Sequence, residues 1–169
     1  MMTETDKERN VNWADRIVQK LKMGEELEWN FDVDGVLEVY QKVEVESARE
    51  KIVAFGSALL KAGWLRDGLK AYKLAGMKPP KMELISCGDA ILEKALEDIS
   101  KGYCLGYPVN HALAAYKLAG TIPTEKFIAV GDALVKKYNL LAKCPPCDRS
   151  RQQALKAYFV AIKALIKEP

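Results

Sequence analysis

The chain has 169 residues, 49% of them apolar, and a formal net charge of +3. That length suits one domain with a substantial core, and so weak a basic bias is no nucleic-acid footprint. No apolar run approaches the roughly 18 residues of a membrane span, and the charged start MMTETDKERN lacks the apolar core of a signal peptide, so a cytoplasmic protein without a membrane partner is expected.

Residues 1–10 are polar and read as a frayed start. A helix is expected from Val11 to about Met23, with Trp13, Ile17, Val18 and Leu21 on one face and Gly24 after it. Residues 25–31 form a linker. Asp32 or Asp34 can cap a second helix that carries Val36, Leu37, Val39, Tyr40 and Val43. Arg49–Ala62 and Leu65–Gly76 then read as two helices joined by a tight turn at Gly63, with a Pro79-Pro80 stop. A long amphipathic helix follows from Lys81 to about Tyr103, bearing Leu84, Ile85, Ile91, Leu92, Leu96 and Ile99. Cys104–Pro108 is a loop, and Asn110 is placed to cap a helix from His111 to Leu118 and beyond. Glu125 to about Lys143 is again long, Cys144–Ser150 is a loop, and Gln152–Lys167 is the last helix.

Much of this order is repetition. AYKLAG occurs at Ala71–Gly76 and, unchanged, at Ala115–Gly120, and a looser AYFVAI begins at Ala157. Upstream of each lies a second signature: FGSALL from Phe55, CGDAIL from Cys87, VGDALV from Val130. Such self-similarity marks stacked helical pairs, each unable to bury its apolar stripe alone. Small residues are needed where the two helices of a pair cross. Gly56 is expected to face Gly68 or Ala75, Gly88 to face Ala112 or Ala119, and Gly131 to face Ala154 or Ala161. Tyr72, Tyr116 and Tyr158 fall at one equivalent place and read as wedges between successive pairs.

On these residues the sequence resembles the tetratricopeptide-repeat (TPR) family. The unit 49–80 is 32 residues long, close to the roughly 34 of that repeat, and matches its pattern at Gly56, Gly63, Gly68, Tyr72, Ala75 and Pro80. The unit 81–123 keeps Gly88, Ala112, Tyr116, Ala119 and Pro123. The unit 124–169 keeps Gly131, Ala154, Tyr158 and Ala161. Both later units carry insertions, and residues 1–48 match poorly. DGVLEVYQKV at Asp34 echoes DGLKAYKLA at Asp67, so residues 1–48 read either as a degenerate first repeat or as an unrelated helical cap on the same domain. The resemblance implies an all-α fold, a right-handed α-α superhelix of three to four stacked hairpins.

The sharpest local motif is Cys144-Pro-Pro-Cys147. Its spacing lets two thiolates share a metal or close a small disulfide ring, but structural zinc needs four ligands. Cys104 lies 16 residues after Gly88, and Cys147 lies 16 after Gly131. Both insertions are therefore expected on one edge, with His111 close by. Cys104, His111, Cys144 and Cys147 make a candidate zinc site or thiol-redox module, zinc being the only cofactor in view. Against it stands the plainer reading of ordinary thiols, or a disulfide, in a Pro-stiffened turn. Thioredoxin-like chemistry also needs a βαβ setting, and no strand is read. Cys87 reads as a small core hydrophobe.

No nucleophile or paired carboxylate is arranged around His111, the one histidine, and no Gly-rich phosphate loop follows a strand. No catalytic residue is assigned, and the chain is read as a non-enzyme. The resemblance implies that the first helix of each pair lines a concave groove for a peptide. That lining comprises Val53, Ser57 and Leu60, then Ile85, Asp89 and Leu92, then Ile128, Asp132 and Val135. It is aliphatic and mildly acidic, suited to an apolar, neutral or basic segment. Groove filling by the chain's own N-terminal segment or by a second copy is the competing reading. On the last helix Leu155, Tyr158, Phe159, Val160, Ile162, Leu165 and Ile166 wrap most of the circumference, and Leu155, Phe159, Ile162, Leu165 and Ile166 are the residues expected to make the contact. Terminal repeats normally carry a polar outer face, so this helix is expected to mediate homodimerisation or to dock a larger partner. The expected function is a protein-interaction scaffold or adaptor.

Overall fold

A computed structural model describes residues 4–25, 32–42, 45–102, 108–140 and 148–167; within these, the side chains of residues 4, 6, 7, 45, 46, 138–140, 148–151, 162 and 165–167 are outside the described set. Among the described residues there are eight α-helices and no strand. They are α1 (Glu4–Lys22), α2 (Val33–Gln41), α3 (Val45–Lys61), α4 (Leu65–Leu74), α5 (Lys81–Lys101), α6 (Pro108–Ala119), α7 (Thr124–Leu140) and α8 (Asp148–Lys167). None is long and apolar enough to cross a membrane.

The helices obey their sequence signals. Asp32 caps α2 by accepting a hydrogen bond from the Gly35 backbone N–H at 2.9 Å. Val33, Val36, Leu37 and Tyr40 then recur at helical spacing and are all buried. At the end of α3 the Trp64 N–H reaches back to the Leu59 carbonyl and the Gly63 N–H to that of Leu60, both at 2.9 Å, with Gly63 at φ +82°. This closure satisfies carbonyls that the helix leaves open and needs a residue without a Cβ penalty. The AYKLAG hexapeptide closes α4 and α6 in the same way. Met77 N–H bonds to the Tyr72 carbonyl at 2.9 Å, and Thr121 N–H to that of Tyr116 at 3.0 Å.

Four helices start several residues earlier than the sequence reading placed them, α3 at Val45 rather than Arg49 and α8 at Asp148 rather than Gln152 among them. α1 begins at Glu4 rather than near Val11, because Glu, Lys and Arg extend a helix well without showing any apolar period. α6 begins at Pro108, whose missing N–H costs nothing at a first helical position. Asn110 therefore lies inside α6 and does not cap it.

The chain forms two compact units, Met1–Glu83 and Leu84–Pro169, so the division falls in the first turn of α5. In the first unit α1, α2 and α3 pack on one another and α3 packs on α4. Its core contains Ala14, Val18, Leu21, Val36, Leu37, Tyr40, Ile52, Phe55, Leu59 and Ala71. In the second unit α7 packs on α8 and α6 touches α8. Its core contains Leu92, Ala95, Ile99, Val109, Ala112, Tyr116, Phe127, Val130, Leu134, Ala154 and Ala157.

The glycines of the first helices do their work chiefly against tyrosine. A Cβ on Gly88 would lie 2.6 Å from the Tyr116 ring, and one on Gly131 would lie 2.9 Å from that of Tyr158. Gly56 faces Ala71 and Tyr72 in the same fashion, each 3.1 Å from a would-be Cβ. The nearest neighbours of Gly88 and Gly131 are thus tyrosine rings rather than the expected Ala112 or Ala119 and Ala154 or Ala161, and Ala75 is not among the nearest of Gly56. A flat ring needs more clearance than a methyl group, and in these three pairs glycine grants it. Gly68 does approach Gly56, with a would-be Cβ 3.2 Å from its carbonyl oxygen. Tyr40 and Tyr116 also meet Phe55 and Phe127 of the following helix, so each ring lies both within its own pair and against the next.

Candidate interaction site: a repeated polar clasp and an uncovered helix face

One polar arrangement recurs in both units. In α1 and α2, the Tyr40 hydroxyl donates to Asp15 at 2.9 Å, and Lys51 of α3 pairs with the same carboxylate at 2.6 Å. In α5 and α6, the Tyr116 hydroxyl donates to Asp89, and Lys126 of α7 pairs with that carboxylate at 2.6 Å. In α3 and α4 the acid moves to the other side: Tyr72 and Ser57 both donate to Glu83 of α5, at 2.5 and 2.8 Å. In α7 and α8, the Tyr158 hydroxyl donates to Asp132 at 2.6 Å.

The positions are equivalent throughout. Asp15, Ser57, Asp89 and Asp132 each follow the small residue of the crossing, which is Ala14, Gly56, Gly88 or Gly131. The tyrosine comes from the second helix of the pair. The third member, Lys51, Glu83 or Lys126, sits five residues before the glycine of the following first helix. Each of the first three clasps thus ties a pair internally and reaches a residue of the next helix. Asp132 and Tyr158 have the first two members. No cation reaches Asp132 among the described residues.

Burial tracks the clasp. Tyr40, Tyr72 and Tyr116 are buried, and their hydroxyls are pushed well above the usual phenol range, first by desolvation and then by the carboxylate each one meets. Tyr158 is half-buried and is raised chiefly through its bond to Asp132. Phe55 meets Tyr40 edge-on with centroids 6.4 Å apart, and Phe127 meets Tyr116 likewise at 5.8 Å. Such pairs contribute about 0.5–1.5 kcal/mol beyond area burial.

The residues named for a concave lining separate by burial. Leu60 and Leu92 are core residues. Val53, Ile85 and Ile128 are half-buried. Ser57 is occupied by Glu83, and Asp89 by Tyr116 and Lys126. Asp132 and Val135 are exposed, Val135 to 40%. The lining therefore includes members of the clasp, which spend their polarity inside the fold.

On α8, Leu155 is 66% and Phe159 57% exposed, with the Lys163 ammonium 4.4 Å from the centre of the Phe159 ring. The side chains of Ile162, Leu165 and Ile166 lie outside the described residues. Leu155 occupies, three residues before the tyrosine, the place held by Leu37, Leu69 and Leu113 in the other pairs. Leu37 is buried, and Leu69 and Leu113 are half-buried. Val135 occupies the place of Val18, Leu60 and Leu92, all buried. The fourth pair therefore leaves open the positions that are covered in the first three.

Of the candidate zinc ligands, Cys104, Cys144 and Cys147 lie outside the described residues, and His111 is exposed on α6. Among the described residues no three of His, Cys, Asp or Glu gather as a metal would require. The buried Cys87 thiol is pushed up to about 12 by desolvation, which leaves it protonated and unreactive at neutral pH.

Sequence reasoning did not find Asp15, Lys51, Glu83 or Lys126. Ala14-Asp15 echoes Gly88-Asp89 and Gly131-Asp132, and the five-residue offset before each glycine was there to be counted. Comparison with protein-family models, with curated proteins and with solved structures finds no match to this chain.

Proposed function

We propose that this protein is a non-catalytic interaction scaffold, a TPR-like stack of four helix pairs whose last pair presents a binding face. The observation that carries the reading is the exposure of Val135 and Leu155 at positions buried or half-buried in the other pairs, with the exposed Phe159 one helical turn from Leu155. Contiguous apolar surface on a folded chain marks an interface more often than it marks bare solvent contact. Affinity would come from that aliphatic and aromatic patch, and orientation from Asp132 beside it. Asp89 is committed to Tyr116 and Lys126, so the acid available to a partner is Asp132.

Side-chain oxidation by hydroxyl radicals tests this. Leu155 and Phe159 should be oxidised freely in dilute purified protein and be protected in extracts of the cells that make it. Leu74 and Leu118, also exposed, should be oxidised equally in both. Equal oxidation of all four in extract and in dilute solution would contradict a binding role for this face.

A further inference from the structure

The clasp says what a partner of the fourth pair must carry. On Asp15 and on Asp89, the helix that covers the pair brings a lysine and an aromatic ring: Lys51 with Phe55 on α3, and Lys126 with Phe127 on α7. A helix seated on Asp132 and Tyr158 should do the same. One helix of this chain fits. α1 is the positional equivalent of α3 and α7, with Ala14 in the place of Gly56 and Gly131. Five residues before Ala14 stands Arg9, in the place of Lys51 and Lys126. One residue before Ala14 stands Trp13, in the place of Phe55. In the first unit Phe55 is wholly buried against Tyr40, whereas Trp13 is 44% exposed and Arg9 is exposed. Arg9, Trp13, Arg16 and Lys20 run along one exposed stripe of α1 at helical spacing. That stripe is basic and aromatic. Among the described side chains, the face of α7 and α8 offers Val135, Leu155 and Phe159, the Asp132 carboxylate and the Lys163 ammonium over the Phe159 ring.

We propose that copies of this chain associate head to tail, with α1 of one copy laid on the α7–α8 face of another. Arg9 takes on Asp132 the place that Lys126 holds on Asp89, and Trp13 takes beside Tyr158 the place that Phe55 holds beside Tyr40. The proposal rests on the interaction-scaffold reading and names the partner as a second copy. The contact is heterologous, since different surfaces meet, so it propagates toward rings or filaments rather than pairing one patch with itself.

Sedimentation velocity on the purified full chain, over a concentration series, tests it through charge reversal. The wild type should self-associate. Arg9→Asp places two acids together, and Asp132→Arg places two cations together; each should weaken association by about tenfold or more. Mixing the two variants restores both contacts, because every acid then finds a cation on the other chain. The mixture and the double variant Arg9→Asp/Asp132→Arg should therefore regain association. Both sites are exposed, and circular dichroism on each variant checks that helix content is unchanged. A wild type that stays monomeric throughout would overturn the head-to-tail contact. So would association indifferent to Arg9→Asp, which would mean that α8 faces meet each other. If the chain is monomeric alone while Leu155 and Phe159 are still protected in extract, the scaffold reading stands and the partner is a different protein.

Discussion

Tyr116 shows at the residue scale how this chain uses polarity. Its ring lies on Gly88, and its hydroxyl is given to Asp89, which Lys126 also holds. A buried phenol needs such an acceptor, since an unmet hydroxyl in the core costs about 1–3 kcal/mol. The arrangement has a consequence at alkaline pH. Tyr40, Tyr72 and Tyr116 all titrate above their ordinary value, first because they are buried and second because a carboxylate faces each hydroxyl. A raised folded-state value means that the native chain holds protons that the unfolded chain releases. Their contribution is then fully present below the unfolded tyrosine value near 10 and is lost as pH rises beyond it. Urea unfolding should show stability insensitive to these groups up to about pH 9 and falling beyond about pH 10. Tyr116→Phe should make that fall shallower. An identical alkaline slope in wild type and variant would contradict the assignment. The tyrosine and the closing glycine of AYKLAG were legible in the sequence because they recur within one short word. The clasp's third member was not, because it sits in the following helix and changes sign from Lys51 to Glu83 to Lys126.

At the scale of elements, the sequence showed the order of the helices and hid some of their limits. Periodic apolar residues placed α2 to α8. The first turns of α1 are charged, and no apolar rhythm announces them. α8 begins at Asp148, inside the stretch read as a loop, because the residues before its first apolar one, Ala154, are all polar or charged. The crossing of α5 and α6 was read as small against small and proved to be glycine against a ring. That difference can be measured. By helix propensity alone, Gly88→Ala should stabilise α5 by about 1 kcal/mol. The crossing instead predicts a net loss of about 1–3 kcal/mol, because the new methyl group meets a ring fixed on both sides. Gly76→Ala has open space around it but sits at φ +66°, and should cost only about 1–2 kcal/mol through backbone strain. Denaturant midpoints for the two variants decide the matter, and a stabilised Gly88→Ala protein would contradict the packing described for α5 and α6.

At the scale of the whole molecule, two compact units each hold two helix pairs, and the same clasp closes pairs in both. Within each unit, the helix that covers the first pair comes from the second. The sequence exposed the repeat, and with it the unusual apolar circumference of the last helix. It did not show that Asp132 and Tyr158 lack, among the described residues, the third member that Lys51, Glu83 and Lys126 supply elsewhere, since that follows from comparing four sites in space. The central claim is that the outer face of α8 is a partner surface. A photo-crosslinking amino acid at position 159, with a second protein carrying it at position 118, tests this in living cells. Phe159 and Leu118 are 57% and 58% exposed, so the two probes see solvent alike, and only the first lies on the proposed face. The account predicts discrete polypeptide adducts from position 159 and little above background from position 118. Equal yields from the two positions, or no adduct from either, would contradict it.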